Sequence, residues 1–310
     1  MKNLSKKIIK LLKNPDIACL LALKFFSLFF PDKIYLLLLF RIKLGEWPNL
    51  KKPKTYHEKL LWLKLYNRQP QYTIMADKVK AKEWAAERIG WQHIIPTIGI
   101  WNKPEDVDFE KLPEKFVLKC NHNSGLGMCI CRDKKSLDIN NVKKKLGKGL
   151  KQNYFLHARE WPYKDIPRKI LAEKFMIDGQ NQDLTDYKFF CFDGEPFLMY
   201  VSKDNATNVT TDFFDMDYNH LPIRMKDPNS EIPPAKPKLF EEMKSYARIL
   251  SKGIPHVRVD LYVINNCVYF GEMTFFHNGG GTKIYPEEWN YILGDMIKLP
   301  VYDRCAERRE

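Results

Sequence analysis

The chain has 310 residues, is 45% hydrophobic and carries a formal charge of +13, enough for one large domain or two ordinary ones. Its seven cysteines (Cys19, Cys120, Cys129, Cys131, Cys191, Cys267, Cys305) include no CxxC pair, which argues against a disulfide framework or zinc site and for reduced thiols in a cytoplasmic protein. Residues 1–64 hold fourteen lysines and arginines against Asp16, Asp32, Glu46 and Glu58, so +10 of the excess sits there. A basic head on a near-neutral body points to a negatively charged surface as partner, not to a nucleic-acid-binding fold.

The first apolar run, IACLLALKFFSLFF (17–30), is too short to span a bilayer, which takes about twenty residues, and contains Lys24. Phe29-Phe30-Pro31 is a poor cleavage site for a leader. Two short amphipathic helices fit better, either lying on an anionic leaflet or packing on the body. TYHEKLLWLKLYN (55–67) opens with a capping box, Thr55 and Glu58, and reads as a helix. DKVKAKEWAAERIG (77–90) is a second helix closed by Gly90. IIPTIGIW and KFVLKCN read as strands and NVKKKLGKGLKQNYF as a basic helix. RKILAEKFM is a strand, and YKFFCFDGEPFLMYVS a hairpin turning at Asp193-Gly194. A Pro-rich loop (227–238), a helix (238–253), a hairpin turning at Asn265-Asn266 and a tail around PEEWNYILGDMIKLP complete the chain. The alternation of helix and strand predicts a mixed α/β architecture, of the α+β class.

Four stretches carry charges where apolar residues are expected. In the hairpin VRVDLYVINNCVYFGEMT (257–274), residues two apart share a face, so Arg258 and Asp260 point one way and Glu272 and Thr274 likewise. Two carboxylates on rigid strands suit Mg²⁺ when phosphate completes its shell, and an arginine suits a transferring phosphoryl group. The plainer reading is an Arg258–Glu272 salt bridge on an exposed face. FVLKCNHNSGLGMCIC (116–131) is a strand–loop–strand hairpin with Lys119 on its first strand. Its loop residues Ser124, Gly125 and Gly127 let backbone N–H groups approach a phosphate. Alternatively, it is an ordinary hairpin with a snorkelling lysine. Glu173 in ILAEKFM needs a donor: an adenine amino group, or Lys174 or Arg168. Asp178 or Asp183 beyond it could meet a ribose. Lys188 in DYKFFCF is a phosphate contact or a surface lysine.

In this order (Asp77-Lys78, Lys119 with its glycine loop, Glu173, Lys188, Arg258-x-Asp260, Glu272-x-Thr274) the chain resembles the ATP-grasp enzymes over residues 70–300. More narrowly it resembles the teichuronopeptide-biosynthesis-type (TupA-like) ATP-grasp proteins of bacterial surface-polysaccharide loci. That likeness rests on PKTYHEKLLWLKLY, FVLKCNH, REWPY, DYKFF, VRVDLY, GEMTF and PEEWNYILGD. The resemblance implies two α+β lobes clasping ATP behind an N-terminal helical extension. The expected division is a basic helical region 1–68 and an ATP-grasp domain 69–310, with a lid subdomain near 113–172 and a metal-binding lobe near 173–300. It implies ATP and one or two Mg²⁺ as cofactors. Asp260, Glu272 and Thr274 are then metal ligands, Thr274 standing where asparagine is usual. Arg258 and Lys188 are catalytic, and Lys78, Lys119, Ser124, Gly125, Gly127 and Lys188 meet the phosphates. Glu173, Phe175 and Met176 form the adenine hinge.

The activity so implied is a carboxylate–amine ligase acting through an acyl phosphate. Its expected partners are a uronic-acid-type carboxylate on a glycan or a nucleotide- or lipid-linked sugar, and an amine such as an amino acid. A peripheral place on the inner face of the cytoplasmic membrane follows. A glycosyltransferase or sugar kinase of the same pathway is the alternative, although the DMD at 215–217 reads as a turn. For the substrates, Arg159 could hold a carboxylate, Trp161 could stack on a sugar, Asn278 could shape the acceptor pocket and His277 could act as a base. Each has a structural alternative as a packed turn or a structural histidine.

Overall fold

Two antiparallel sheets, each backed by helices, form the protein in a computed structural model that describes residues 15–179, 184–205 and 208–301. Among the described residues helices α1 (Pro15–Phe25) and α2 (Asp32–Leu44) come first, parted at Pro31. Among the described residues no helix is long and apolar enough to cross a membrane. Leu23, Tyr35, Leu36, Leu39, Phe40 and Leu44 bury one side of this pair against Leu61 and Ala158. Of the two placements open to the N-terminal helices, packing on the body is therefore realised for their inner face.

Helix α3 (Tyr56–Tyr66) starts at the expected capping box: Glu58 N donates to Thr55 Oγ1 (3.2 Å) and Thr55 N to Glu58 Oε2 (3.1 Å). Helix α4 (Pro70–Ala76), which sequence reading did not separate, leads through Asp77 into α5 (Lys80–Ile89), closed by Gly90.

The first sheet contains β1 (Thr97–Trp101), β2 (Phe116–Cys120), β3 (Cys129–Cys131) and β4 (Ile170–Lys174), in the order β1-β4-β2-β3. Alternation in β2 buries Phe116, Leu118 and Cys120 and turns Val117 and Lys119 to the other face. Helix α6 (Ile139–Lys151) covers the buried face with Val142 and Leu146. The four-residue α7 (Phe155–Ala158) follows it.

The second sheet has six strands, β5 (Asp186–Phe192), β6 (Glu195–Asn205), β7 (Asn208–Asp215), β8 (His220–Leu221), β9 (His256–Ile264) and β10 (Cys267–Thr274), in the order β10-β9-β5-β6-β7-β8. Its hairpins turn at Asp193-Gly194 and Asn265-Asn266, all four residues having positive φ as a type I′ turn requires. Strands β7 and β8 are additions to the expected set. Helix α8 (Phe240–Ser251) packs Phe240, Met243, Ala247 and Leu250 against the sheet's apolar face, and α9 (Glu288–Met296) docks on α3. The cysteines among the described residues are free thiols, and Cys305 lies outside them.

Candidate active site

The polar face of the six-stranded sheet is assembled by register. Lys188 on β5 lies opposite Asp260, Glu272 on β10 is paired with Asp260, and Thr274 with Arg258. Simple alternation along β10 would not give this. Tyr269 pairs with Tyr262 and Phe270 with Leu261, so an unbroken ladder would set Gly271 opposite Asp260 and turn Glu272 into the core. A β-bulge between Phe270 and Glu272 inserts one residue and returns Glu272 to the polar face. Glycine is required there, because a Cβ on Gly271 would lie 2.9 Å from the Asp260 carbonyl oxygen and 3.0 Å from the Tyr262 ring. The sequence carried the signal, a lone glycine within a strand.

Arg258 is the hub of this face. Its Nε and Nη2 donate to Asp260 Oδ1 (2.6 Å) and Oδ2 (2.7 Å). Nη2 also reaches Thr274 Oγ1 (3.0 Å) and Glu272 Oε1 (3.3 Å), and Nη1 reaches His277 Nδ1 (2.7 Å) and the Tyr200 hydroxyl (3.3 Å). Lys188 Nζ is 2.7 Å from Asp260 Oδ2 and 3.2 Å from Asp186 Oδ1. Burial disfavours the Lys188 charge, but Asp260 more than offsets it and raises the group. Burial also pushes the Glu272 carboxyl upward, yet Lys78, Arg258, Lys188 and Lys119 overcome that and bring it down to about 2. Thr274 accepts from Arg258 (3.0 Å) and donates to Glu272 Oε1 (3.1 Å), so its hydroxyl bridges the two side chains.

The facing wall comes from the four-stranded sheet. Glu173 on β4 is gripped by two lysines: Lys119 Nζ at 2.5 Å from Oε2 and Lys82 Nζ at 2.5 Å from Oε1. Its ion-pair partners are therefore not Lys174 or Arg168. Lys82, which sequence reading missed, reaches over from α5 and also donates to the Ile95 carbonyl (2.6 Å). Burial raises the Glu173 carboxyl, and the two lysines lower it further than burial lifts it. The buried Asn121 donates to Asp77 Oδ1 (2.8 Å), which fixes the turn carrying Lys78. Lys78 Nζ donates to the Asn123 carbonyl (2.8 Å) and stands 3.6 Å from Glu272 Oε2.

Two cavities, each of about 480 Å³, open on these walls and share Lys78, Ser124 and Glu272. The first lies between the sheets. Lys119, Gly125, Glu173, Phe175, Met176, Lys188 and Asp260 line it together with the apolar Ile95, Val117, Met128, Ile130 and Phe270. It also includes Asp186, a residue not anticipated, whose carboxyl burial raises. Gly127 does not line it. At a φ of +79° it packs on Gly149 Cα, 3.0 Å from where a Cβ would stand, so its role is to let the loop approach α6. Asp178 accepts from Asn265 N (2.9 Å), and Asp183 lies outside the described residues.

The second cavity lies beside Arg258, Thr274, Asn278 and Gly279. It is walled by Gln152, Tyr154, His157, Glu160 and Tyr163, and on its far side by Lys24 of α1 and Lys43 of α2. Burial raises the Glu160 carboxyl against the opposing pull of Lys64, Lys43 and Arg258.

Three of the expected substrate residues, Arg159, Trp161 and His277, line neither of these two cavities. Arg159 is 4% exposed and is not available to a substrate. Its guanidinium donates to the Ser27 carbonyl, pairs with Asp32 (3.3 Å from Oδ1) and lies 4.6 Å from the Tyr35 ring centre, clamping α1 and α2 to the body. Trp161 is buried beside Tyr72, where no sugar can stack. His277 accepts from Arg258 through Nδ1 (2.7 Å), and burial first and then Arg258 hold its pKa well below the ordinary value. Asn278 does line the second cavity. The DMD aspartates serve their own turn, Asp215 Oδ1 accepting from Asp217 N (2.9 Å) and Asn219 N (2.8 Å).

The donors on the polar face are carboxylate and hydroxyl oxygens, the type Mg²⁺ prefers. Among the described residues no group of three His, Cys, Asp or Glu side chains could by itself enclose a metal. The residues fit a divalent cation that takes its remaining ligands from phosphate and water. Glu272 keeps 38% of its side chain open to the cavities, and the buried Asp186 Oδ1 has the Lys188 ammonium 3.2 Å away but no hydrogen bond of good geometry.

A family model described as TupA-like ATPgrasp matches residues 58–298. No curated protein sequence matches. Among solved structures the chain is similar to a D-alanine–D-alanine ligase from Bacillus anthracis complexed with ATP (19% identity, 65% of this chain and 54% of that one, TM-score 0.39). It is also similar to a D-alanine–D-alanine ligase from Helicobacter pylori (14%, 79% and 69%, 0.45). A third likeness is to an N5-carboxyaminoimidazole synthase from Aspergillus clavatus in complex with ADP and 5-aminoimidazole ribonucleotide (13%, 74% and 53%, 0.41). The chain spans about half the length of the first of these.

Proposed function

Since the chain belongs to the TupA-like ATP-grasp family, we propose that it is an ATP- and Mg²⁺-dependent carboxylate–amine ligase whose two substrates meet across Glu272. The observation that carries this reading is the pair of cavities sharing Lys78, Ser124 and Glu272 as their common wall. A nucleotide in the first cavity would place its base among Ile95, Val117, Met128, Phe175 and Met176. Its phosphates would face Lys119, Lys188 and Lys78. Asp260 and Glu272 would hold Mg²⁺, with Asp186 within reach, and the ion would supply charge neutralisation of the phosphate oxygens. The terminal phosphoryl group then points through the shared wall toward Arg258 and the second cavity.

There a substrate carboxylate oxygen attacks the γ-phosphorus, ADP leaves, and an acyl phosphate forms. Arg258, held in one orientation by Asp260, Thr274 and His277, stabilises the charge on the transferring group. The amine attacks the acyl carbon and phosphate departs. Its proton passes to Glu160, the carboxylate lining this cavity whose proton affinity burial raises. The basic rim of Lys24 and Lys43 favours an anionic acceptor, in keeping with a uronic-acid carboxylate of a cell-surface polysaccharide or its nucleotide- or lipid-linked precursor. ATP as co-substrate puts the reaction in the cytoplasm. The test is incubation with ATP, Mg²⁺ and a panel of uronic acids and amines, with nucleotide and product identified by mass. ADP with an amide is expected. AMP, or ADP with a phosphorylated sugar, would overturn the ligase in favour of another ATP chemistry.

A further inference from the structure

The inner faces of α1 and α2 are buried, but the bend between them is not. Phe25, Leu28 and Phe29 are 81%, 77% and 81% exposed, with Phe26 and Leu21 about half exposed and Ile34 beside them on α2 at 47%. A cluster of large apolar side chains held outward on a rigid bend is not an ordinary surface, because isolated exposed leucines are common but contiguous aromatic tips are not. The bend is itself fixed in place: the Ser27 carbonyl is tied to Arg159, and Asp32 to Arg159 (3.3 Å) and Arg68 (3.0 Å). Its apolar side chains therefore cannot turn inward without breaking buried contacts.

The charges around the bend select its occupant. Lys24 and Lys33 flank it, and the fourteen residues before α1 add Lys2, Lys6, Lys7, Lys10 and Lys13 with no acidic side chain. A second copy of this chain would bring the same positive charge to the contact and be repelled. An anionic lipid surface would be attracted, with aromatic and leucine side chains entering the headgroup boundary and lysines reaching the phosphates. We propose that the Phe25–Phe29 bend docks the protein peripherally on an anionic bilayer. Lys24, the residue next to Phe25, lines the second cavity, so docking sets that cavity's mouth at the lipid surface. If the ligase reading holds, the acceptor then arrives as a lipid-anchored anion.

Flotation of the full-length protein with vesicles of phosphatidylcholine, with and without phosphatidylglycerol, tests the docking. Binding is expected with phosphatidylglycerol, weakened by salt. In the variant Phe25→Ser/Leu28→Ser/Phe29→Ser it falls by at least about tenfold. These side chains are exposed, so the variant keeps its circular dichroism and its stabilisation by ATP–Mg²⁺. The latter readout separates loss of docking from loss of the nucleotide site. Absence of wild-type flotation sinks the proposal, as does equal flotation of the triple variant. Wild-type self-association that the variant abolishes would instead give the bend to a second copy. Binding that survives in the triple variant and disappears on removal of residues 1–14 would assign it to the lysine tail alone.

Discussion

Single residues decide whether the polar face exists. Gly271 is the sharpest case, since the bulge it permits is what turns Glu272 toward Asp260. On the ligase reading, Gly271→Ala should lower ATP turnover by about 100-fold or more, the order expected when a group that holds the charge-neutralising cation is displaced. Turnover within a factor of about two of wild type would show that the bulge does not set the site. Arg258 holds Asp260, which is 0% exposed, by two hydrogen bonds. Arg258→Met leaves that carboxylate to Lys188 alone. Its cost in urea unfolding should be about 3–5 kcal/mol, as for other broken buried pairs. A loss under about 1 kcal/mol would mean that the pair is not stabilising in this context.

At the scale of elements, α9 meets the N-terminal end of α3 through Gly294 and Asn290. A Cβ on Gly294 would collide with the Lys54 carbonyl oxygen and lie 2.8 Å from the Thr55 carbonyl carbon, so glycine lets α9 reach the capping box itself. Gly294→Ala should destabilise by about 1–3 kcal/mol through overpacking, and Thr55→Ala by about 1 kcal/mol through loss of the cap. Because both act on the same few backbone atoms, their effects should not add, and a double-mutant cycle measures the coupling. Additivity within about 0.3 kcal/mol would argue that the two elements are energetically separate.

Over the whole molecule, pH acts through histidines. Burial lowers the pKa of His57, His122, His157, His256 and His277, that of His256 to about 3. His256 is committed as a neutral ring. Nδ1 donates to the Cys191 carbonyl (2.9 Å), and Nε2 accepts from the Tyr56 hydroxyl (2.9 Å). In the unfolded chain these rings take a proton near pH 6.5, whereas the folded ones do not. Their stabilisation is complete above that value and is lost as the pH falls toward the folded pKa values. Glu160 and Asp186, with raised pKa values, act with the opposite sign. His256 alone should cost about 2 kcal/mol at pH 5, so the melting temperature should drop from pH 7.5 to 5 and drop less in His256→Asn. An equal drop in the variant would remove His256 from the account. A nucleotide bound between the two sheets should stabilise the protein by about 2.7 kcal/mol at one hundred times its Kd, read as a thermal shift.

The local elements were legible because their causes are local. The Thr55–Glu58 box, the helix stop at Gly90 and the Asp193-Gly194 and Asn265-Asn266 turns each depend on residues within one turn of chain. Period-two spacing likewise put Arg258 beside Asp260 and Glu272 beside Thr274. What remained open was everything that depends on partners distant in sequence. Glu173 met Lys82 and Lys119 from separate elements, and Arg159 and Trp161 proved to be packing residues. Lys24 and Lys43 became cavity walls because a helix pair with one apolar stripe has to bury it somewhere. Sequence by itself determined which residues carry charge and which neighbours two apart on one strand share a face. Only tertiary packing decided which of those charges are already neutralised and which still face open space, because neutralisation is a matter of a few ångströms between residues far apart in the chain.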